Sequence, residues 1–241
     1  MNIYAFLIGV GASFGLACVA VQTAPARRSS ALLDGGLISL AGALIGGRAG
    51  YVAQNWAHFQ AFPAQIPQIW LGGFSGLGAM LGGMLGLLVA AGILRMSPGV
   101  LADGLAPMLP PLAVCAWLAC WQAGTAYGAA APGAWWAIPT RDETGLVLPR
   151  FPLQPLAAAF TVGLFTLIEL IRRRLTASGQ LAGLSLAGMA ALLCAASFLR
   201  ADPSPVWRSL RWDAWGSAAL AGICLIGFAA ASIPREHRRE L

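Results

Sequence analysis

The chain has 241 residues, of which 58% are hydrophobic and only 10% are charged, and its net charge is +6. About a quarter of the residues in ordinary soluble domains are charged, so this composition excludes that class and predicts an integral membrane protein. The positive charge favours anionic lipid headgroups over nucleic acid as partners, because no basic cluster is interleaved with aromatic residues on a soluble surface.

Seven apolar segments are long enough to cross a membrane, since a helical span needs about 20 residues. In chain order they are residues 3–22, 31–53, 71–94, 100–121, 154–171, 178–199 and 214–233. We therefore predict an all-α polytopic fold, a bundle of about seven transmembrane helices that forms one membrane-embedded domain over residues 1–241. The first segment lacks the basic start and the cleavage pattern of a secretion signal, so we expect it to remain as a span.

The arginines give the orientation, because basic residues in short loops favour the cytoplasm. All fifteen basic residues are arginines. With the N-terminus outside, nine lie in inner loops and the tail (Arg27, Arg28, Arg95, Arg172, Arg173, Arg174, Arg235, Arg238 and Arg239), and five lie in outer loops (Arg141, Arg150, Arg200, Arg208 and Arg211). We therefore predict an outer N-terminus and a cytoplasmic C-terminus.

Two long segments between the spans, residues 54–69 and 122–153, are predicted to lie on the outer face. The second contains Trp135 and Trp136, which are typical of an interfacial aromatic belt, with a lipid entry route as the alternative. Residues 201–213 form a further outer loop. We expect its Arg208 and Arg211 to be solvated, with contact to phosphates as the alternative.

The cysteines and histidines do not form a metal-binding pattern. All five cysteines lie in apolar runs without a Cys-x-x-Cys pair, and only His58 and His237 accompany them. We therefore expect no disulfide, no metal and no cofactor.

Arg48 stands near the outer end of the second segment, within the run Gly-Gly-Arg-Ala-Gly-Tyr at residues 46–51. An arginine inside a span costs about 2.5 to 3.5 kcal/mol, so such residues usually face the bundle interior and mark a functional site. The alternative is a snorkelling side chain that anchors the helix end. Three glycines of the same segment recur at every fourth residue, which predicts a face that a second helix approaches closely: Gly42, Gly46 and Gly50.

Residues 73–76, Gly-Phe-Ser-Gly, contain the Gly-x-Ser-Gly pattern of intramembrane serine proteases. Neither histidine lies in a predicted span, so the general base that a serine nucleophile needs is missing and this function is disfavoured. Asp103 is an ionisable residue within the fourth segment, followed by Pro107, Pro110 and Pro111. The prolines predict a broken helix there, which is tolerated at depth when it is buried in protein or faces a wet cavity.

Several blocks, in the same order, resemble the bacterial prolipoprotein diacylglyceryl transferase family along most of the chain. They are Tyr4 in the first span, the run at 46–51, Gly-Gly-Phe-Ser at 72–75, the aspartate and prolines at 103–110, Pro-Arg-Phe-Pro-Leu-Gln at 149–154, and Phe-Leu-Arg at 198–200. Gly124, followed by Tyr127 and Gly128, also matches the family pattern after the fourth span.

This resemblance implies transfer of diacylglycerol from phosphatidylglycerol to a cysteine thiol of a lipoprotein precursor peptide, in the bacterial cytoplasmic (inner) membrane. Such a reaction needs a deprotonated thiol and cations for the departing phosphate. The positions that the resemblance assigns to catalysis are Arg48, Asp103 and Tyr4. The positions that it assigns to substrate binding are Arg150, Gln154, Arg200, Gly73, Ser75 and Gly124.

The chain departs from the family where charged and polar residues are expected. Leu77 stands in place of a histidine, Trp117 of an arginine, Cys120 of an asparagine, Thr125 of a glutamate and Phe151 of a second histidine. Loss of one preorganised donor typically slows a reaction about 100- to 1000-fold. A catalytically inactive relative that binds anionic phospholipid or a lipoprotein precursor is therefore the alternative. A small transporter is disfavoured because no internal repeat is found.

Overall fold

A computed structural model describes residues 3–22 and 26–232 of the protein. Its helices are α1 (Ile3–Gln22), α2 (Ala26–Gln54), α3 (Trp56–Ala61), α4 (Gly76–Leu94), α5 (Pro98–Leu105), α6 (Leu109–Ala123), α7 (Leu153–Ile171), α8 (Gln180–Leu199) and α9 (Trp212–Ser232). Seven helical segments are long and apolar enough to cross a membrane, which confirms the polytopic all-α prediction. The end of the last predicted span, His237 and the arginines of the tail lie outside the described residues.

Two short antiparallel hairpins accompany the helices. Strands β1 (Ile138–Arg141) and β2 (Val147–Arg150) pair with Ile138 opposite Arg150. Strands β3 (Val206–Trp207) and β4 (Leu210–Arg211) pair with Val206 opposite Arg211 and precede α9 directly. Both hairpins lie between spans, in loops that the sequence predicts to lie on the outer face.

Two predicted boundaries reflect backbone chemistry. The third span starts at Gly76 instead of residue 71, because Gly72 and Gly73 adopt φ angles of +84° and +79°, which are incompatible with a helix. The fourth span is broken as predicted: α5 ends at Leu105, a 3-10 turn covers Ala106–Met108, and α6 begins at Leu109. The prolines that follow Leu105 lack the N–H groups that a continuous helix requires.

Helices α2 and α4 approach each other through glycines on both sides. A Cβ atom on Gly46 would lie 2.6 Å from the Cα of Gly82, and one on Gly50 would lie 3.1 Å from the Cα of Gly78. Only hydrogen atoms therefore separate the two backbones at these points. This geometry confirms the close-approach face predicted from the glycine spacing of the second span.

Three apolar clusters fill the bundle. The first joins α1, α2, α4 and α5 around Val19, Leu32 and Leu101. The second joins α6, α7 and α8 around Trp117 and Leu153. The third joins α8 and α9 around Ala190 and Leu220, with Leu77 of α4 packed against it, as a mostly apolar bundle interior requires.

The loops between successive spans alternate between two ends of the bundle. One end, called here the hairpin end, carries residues 55–75, 124–152 and 200–211; the other, the short-loop end, carries residues 95–97 and 172–179. The loops of the hairpin end contact one another, since Gly128 forms a β-bridge with Arg200. The segments predicted to share the outer face therefore lie at one end of the molecule.

The glycine contact generates a stability prediction. Gly46→Ala should lower the free energy of unfolding by about 1 to 3 kcal/mol, because the added methyl must displace the backbone of α4 and not a flexible side chain. Gly222→Ala is the matched control, since no atom lies within 4 Å of a Cβ built there. Thermal unfolding of both variants in detergent provides the measurement, and equal Tm values would contradict the close packing of α2 on α4.

Candidate functional site

Eight of the nine predicted site residues lie at or beside the hairpin end. Tyr4 lies in the first turn of α1, Arg48 lies in the last two turns of α2, and Gln154 lies in the first turn of α7. The others of this group lie in the connecting loops or at helix ends: Gly73, Ser75, Gly124, Arg150 and Arg200. The structure therefore gathers most of the predicted positions at one end, and Asp103 is the exception.

Arg48 is buried, with 8% of its surface exposed, and is bound by the loop that follows α3. Its guanidinium donates hydrogen bonds to four backbone carbonyls: Nε to Ile66 at 2.8 Å, Nη1 to Gly72 at 2.7 Å and to Gly73 at 3.2 Å, and Nη2 to Gln65 at 2.6 Å. The rings of Phe59 and Tyr51 lie 5.2 and 5.8 Å from the guanidinium carbon. Four of the five N–H groups of an arginine are thus used within the protein.

This binding gives Arg48 a structural role that the sequence did not predict. The side chain is neither snorkelling nor open to a large anion, because carbonyl oxygens of one loop surround it. A cavity of about 570 Å³ does lie beside it, between α2 and the loop, and is lined mainly by apolar residues such as Leu44, Val52 and Ile69. Arg48 therefore shapes the wall of an apolar cavity through the backbone that it holds.

Gly73 and Ser75 support the same loop. A Cβ on Gly73 would lie 2.5 Å from the Tyr51 ring, and the positive φ angle favours glycine there as well. Ser75 is the N-cap of α4: its Oγ accepts from the Gly78 amide at 3.2 Å and from Gln54 at 3.1 Å. Both residues thus stabilise the backbone conformation of the loop around Arg48.

Arg150 forms a buried ion pair at the base of the first hairpin. Its Nη2 lies 2.9 Å from Oδ2 of Asp142, and its guanidinium carbon lies 4.3 Å from the centre of the Tyr127 ring. The other carboxylate oxygen of Asp142 accepts from the hydroxyl and amide of Thr144 and from the Leu146 amide. The Thr144 hydroxyl foremost lowers the pKa of Asp142, and the backbone amides and Arg150 act in the same direction.

Gly124 and Gln154 connect this hairpin to the spans. Gly124 ends α6 with a φ angle of +67°, and a Cβ there would lie 2.6 Å from the carbonyl oxygen of Asp142. Gln154 is fully buried; its Nε2 donates to the Thr125 carbonyl at 3.0 Å, while its Oε1 has no partner among the described residues. The hairpin is therefore fixed against the ends of α6 and α7.

Tyr4 lies at the same end and is half-buried. Its ring stacks on Phe74, with 6.2 Å between centroids and an interplanar angle of 11°. Tyr4 therefore packs against the loop that Arg48 holds.

Arg200 belongs to a four-residue charge cluster with Asp202, Arg211 and Asp213. Arg200 binds both oxygens of Asp202 and, at 2.9 Å, one oxygen of Asp213. Arg211 donates from Nε to Asp213 at 3.2 Å and from Nη1 to the Asp202 carbonyl at 2.7 Å. The expectation that Arg211 is solvated was wrong, because two aspartates hold it within the protein.

Sequence reasoning missed the two aspartates of this cluster, although a signal was present. The pattern Arg-x-Asp occurs twice, as Arg200-Ala201-Asp202 and Arg211-Trp212-Asp213. Each aspartate pairs with the arginine two residues before it, and both also contact the other arginine. One Arg-x-Asp pattern stands at each end of the same loop. Because opposite charges attract over short distances, the repeat predicts that each arginine contacts both aspartates.

Asp103 lies at the short-loop end and does not share a centre with Arg48. Its Oδ2 accepts from the Gly179 amide at 2.6 Å and its Oδ1 from the Ala182 amide at 2.9 Å. These are amides at the start of α8, so Asp103 caps that helix from a different helix. Asp103 and Arg48, both assigned to catalysis by the resemblance, therefore lie at opposite ends of the bundle.

Three of the positions where the family pattern is replaced are filled by packing residues. Trp117 is 8% exposed and belongs to the cluster around Leu153. Leu77 packs against Gly216 of α9, and Phe151 stacks edge-on against Trp136 at 5.7 Å between centroids. Apolar contacts thus occupy positions at which the resemblance leads one to expect charged or titratable side chains.

Comparisons with known proteins give one consistent family. The model of the prolipoprotein diacylglyceryl transferase family matches residues 1–230. A phosphatidylglycerol–prolipoprotein diacylglyceryl transferase of Rhodospirillum rubrum is 34% identical over 164 residues, which cover 66% of this chain and 59% of the relative. An enzyme of the same name from Methylibium petroleiphilum is 30% identical over 210 residues, covering 81% of this chain and 76% of the relative. The matched region thus spans less than two thirds of the Rhodospirillum protein.

Replacement of Arg48 tests its role as the support of the loop. Arg48→Lys should loosen residues 63–73 while the bundle stays folded, because an ammonium cannot reproduce the planar fork that binds four carbonyls. Hydrogen exchange of this loop should then increase at least tenfold. Arg95→Lys is the control, since Arg95 lies at the short-loop end. Unchanged exchange in the loop of Arg48→Lys would contradict the structural role.

The ion pair at the hairpin gives a pH prediction. Because the folded-state pKa of Asp142 lies below its ordinary value of 3.8, its stabilisation is complete well above that value and is lost as the pH falls through the lowered pKa. The protection factors of the Thr144 and Leu146 amides, measured relative to the intrinsic exchange rate at each pH, should therefore fall in acid. Asp142→Asn should show fast exchange already at pH 7. A hairpin that stays protected in that variant would contradict this account.

Proposed function

The chain belongs to the prolipoprotein diacylglyceryl transferase family, and on this premise we propose that it transfers diacylglycerol from phosphatidylglycerol to the cysteine thiol of a lipoprotein precursor. We place it as a multi-pass protein in a bacterial cytoplasmic membrane, with its N-terminus and hairpin end outside and its C-terminus in the cytoplasm. The observation that carries this proposal is the family match over residues 1–230. The gathering of Tyr4, Arg150, Gln154 and Arg200 at one end of the bundle supports it.

The proposed reaction is a displacement at a glycerol carbon of the lipid. The cysteine sulfur forms a bond to this carbon as the carbon–oxygen bond to phosphate breaks, and glycerol phosphate leaves with the bonding electrons. The thiol proton passes to solvent or to the departing phosphate. Cations close to the departing phosphate stabilise the developing charge, so the arginines of the hairpin end are the groups that matter most.

The predicted site residues take different parts in this proposal. Arg48, Gly73 and Ser75 position the loop that forms one wall, and Arg150 and Gly124 position the first hairpin. Tyr4 and Arg200 are the groups proposed to face lipid or peptide, and the fully buried Gln154 positions the first hairpin through the Thr125 carbonyl. Asp103 acts at the other end as the cap of α8 and is placed outside the reaction.

A second candidate is an inactive relative that binds anionic phospholipid or a lipoprotein precursor without turnover. One observation favours it: Trp117 and Leu77 stand where the family has an arginine and a histidine, and both are committed to apolar packing. With Leu77 and Phe151 in place of the two family histidines, only the small fraction of thiolate already present at neutral pH would react.

The full chain in nanodiscs containing phosphatidylglycerol, incubated with a peptide bearing a lipobox cysteine, distinguishes the two candidates. The transferase predicts a thioether-linked diacylglyceryl peptide in the mass spectrum. Its rate should be about 100- to 1000-fold below that of a relative with the complete family pattern, because a preorganised donor is lost. It should rise with pH toward about 8.5 as the peptide thiol ionises. A peptide with serine in place of cysteine and nanodiscs of phosphatidylcholine alone are the controls.

The outcomes separate cleanly when lipid binding is measured on the same preparation. Binding of phosphatidylglycerol without thioether product would refute the transferase function and support the inactive relative. Folded protein that shows neither binding nor product would overturn both candidates.

A further inference from the structure

The first hairpin and the turn that precedes it carry large apolar side chains on their surface. Trp135 is 94% exposed, and Leu146 and Val147, where the hairpin turn enters β2, are 55% and 56% exposed. Trp136 is also exposed, with its ring edge-on to Phe151. A group of exposed apolar side chains marks a surface that contacts a partner or a membrane. The proposed reaction uses none of the four exposed side chains.

The two faces of the hairpin have the reverse of the polarity expected in water. Thr140 and Arg150 belong to the face turned toward the protein and are buried. Pro139, Pro149 and Val147 belong to the other face, and all three are exposed. A hairpin that faces water on one side normally presents polar side chains there and turns its apolar side chains inward. The outward face of this hairpin therefore suits an apolar environment.

The charged groups of the hairpin have partners within the protein. Arg141, the one charged residue of the outward face of the strands, donates from Nη2 to the Gln122 carbonyl at 2.8 Å, near the end of α6, where the helix dipole favours a cation. Burial, and after it a hydrogen bond and the charge of Glu143, raise the pKa of the Tyr127 hydroxyl to about 12. That hydroxyl therefore stays protonated at neutral pH and can donate to the Glu143 carboxylate.

The hairpin borders a membrane-spanning helix directly. Strand β2 ends at Arg150, and α7 begins at Leu153. Leu156 in the first turn of α7 and Phe160 in the third are exposed, on a helix that is long and apolar enough to cross a membrane. The region where a span ends is the membrane interface, at which tryptophan is enriched. The nearest apolar environment for the hairpin is therefore the lipid layer around the start of α7.

The edges of the hairpin are poorly suited to an extended peptide, which would be the alternative occupant of this surface. A peptide strand that joins a sheet needs the N–H and C=O groups of a free edge. Beside β2, Ala130 forms a β-bridge with Arg150, and the Ala131 amide donates to the Pro149 carbonyl. Strand β1 contains Pro139, which has no N–H to offer. The exposed surface therefore fits a fluid apolar layer better than a peptide strand.

We propose that Trp135, Leu146 and Val147 insert into the lipid leaflet at the hairpin end, so that the first hairpin is an interfacial membrane anchor. The partner is the bilayer itself, and the apolar contact requires no particular headgroup. Elements of this kind bury their apolar face about 5 to 10 Å into the boundary between headgroups and acyl chains and keep their polar face on the other side. The argument does not depend on the proposed transferase activity.

Tryptophan fluorescence of the full chain in nanodiscs, with one chain in each disc, tests the anchor. The difference between the unmodified protein and Trp135→Phe isolates one of nine tryptophans. With phosphatidylcholine brominated in the upper part of its acyl chains, this difference signal should fall about twofold or more, because the ring lies among the tails. Iodide in the buffer should leave it nearly unchanged. Trp135 is almost fully exposed, so its replacement removes little packing, and thermal unfolding checks this.

A charged variant tests whether the apolar side chains hold the hairpin in the leaflet. In Leu146→Asp/Val147→Asp, quenching of Trp135 by the brominated lipid should fall and quenching by iodide should rise, because carboxylates are expelled from the apolar layer. Each variant is compared with Trp135→Phe in its own background. Gln60→Asp is the matched control: it places a carboxylate at an exposed position of α3, at the same end of the bundle, and should change neither signal.

Each result decides the proposal. Quenching of Trp135 by iodide and not by brominated lipid would overturn the anchor, because the ring would then face water. Quenching by neither, or a Trp135 signal that shifts only when a lipobox peptide is added, would assign the surface to a protein contact and equally overturn it. If the charged variant does not fold, the measurement on the unmodified protein still decides. Formation or absence of thioether product does not bear on this result.

Discussion

The hydrogen bonds between Arg48 and the carbonyls of residues 65–73 are the interaction on which the hairpin end depends. A buried guanidinium without a carboxylate partner must find other acceptors, and four carbonyl oxygens of one loop supply them. The loop in turn needs Gly72 and Gly73 in a left-handed conformation and Ser75 as the cap of α4. One charge in a span therefore determines the start of the next span and the wall of an apolar cavity.

Three arginines of the hairpin end illustrate three ways of neutralising a buried charge. Arg48 uses backbone carbonyls, Arg150 uses one carboxylate and the face of an aromatic ring, and Arg200 uses two carboxylates that it shares with Arg211. These differences decide their chemistry. Arg48 holds a loop and Arg150 a hairpin, whereas Arg200 and Arg211 line a polar cavity of about 280 Å³ at the hairpin end.

The spans and the glycine face were predictable because both follow from local pattern and spacing. Composition and length define a span, and glycines at every fourth residue of α2 define the side that α4 approaches. The partners of Arg48 were not predictable, since backbone carbonyls 17 to 25 residues away have no sequence signature. The capping role of Asp103 was not predictable for the same reason, because the amides that it caps lie 76 and 79 residues further along the chain. The charge cluster, by contrast, was predictable from the Arg-x-Asp pattern that occurs twice.

The contact between α2 and α4 also limits how molecules can reach the interior from the bilayer. Their backbones touch along at least two helical turns, from Gly42 against Gly86 to Gly50 against Gly78, leaving no width for a hydrocarbon tail. A lipid tail therefore cannot pass between α2 and α4 along this contact. Any sideways portal for lipid must therefore open at another seam of the bundle.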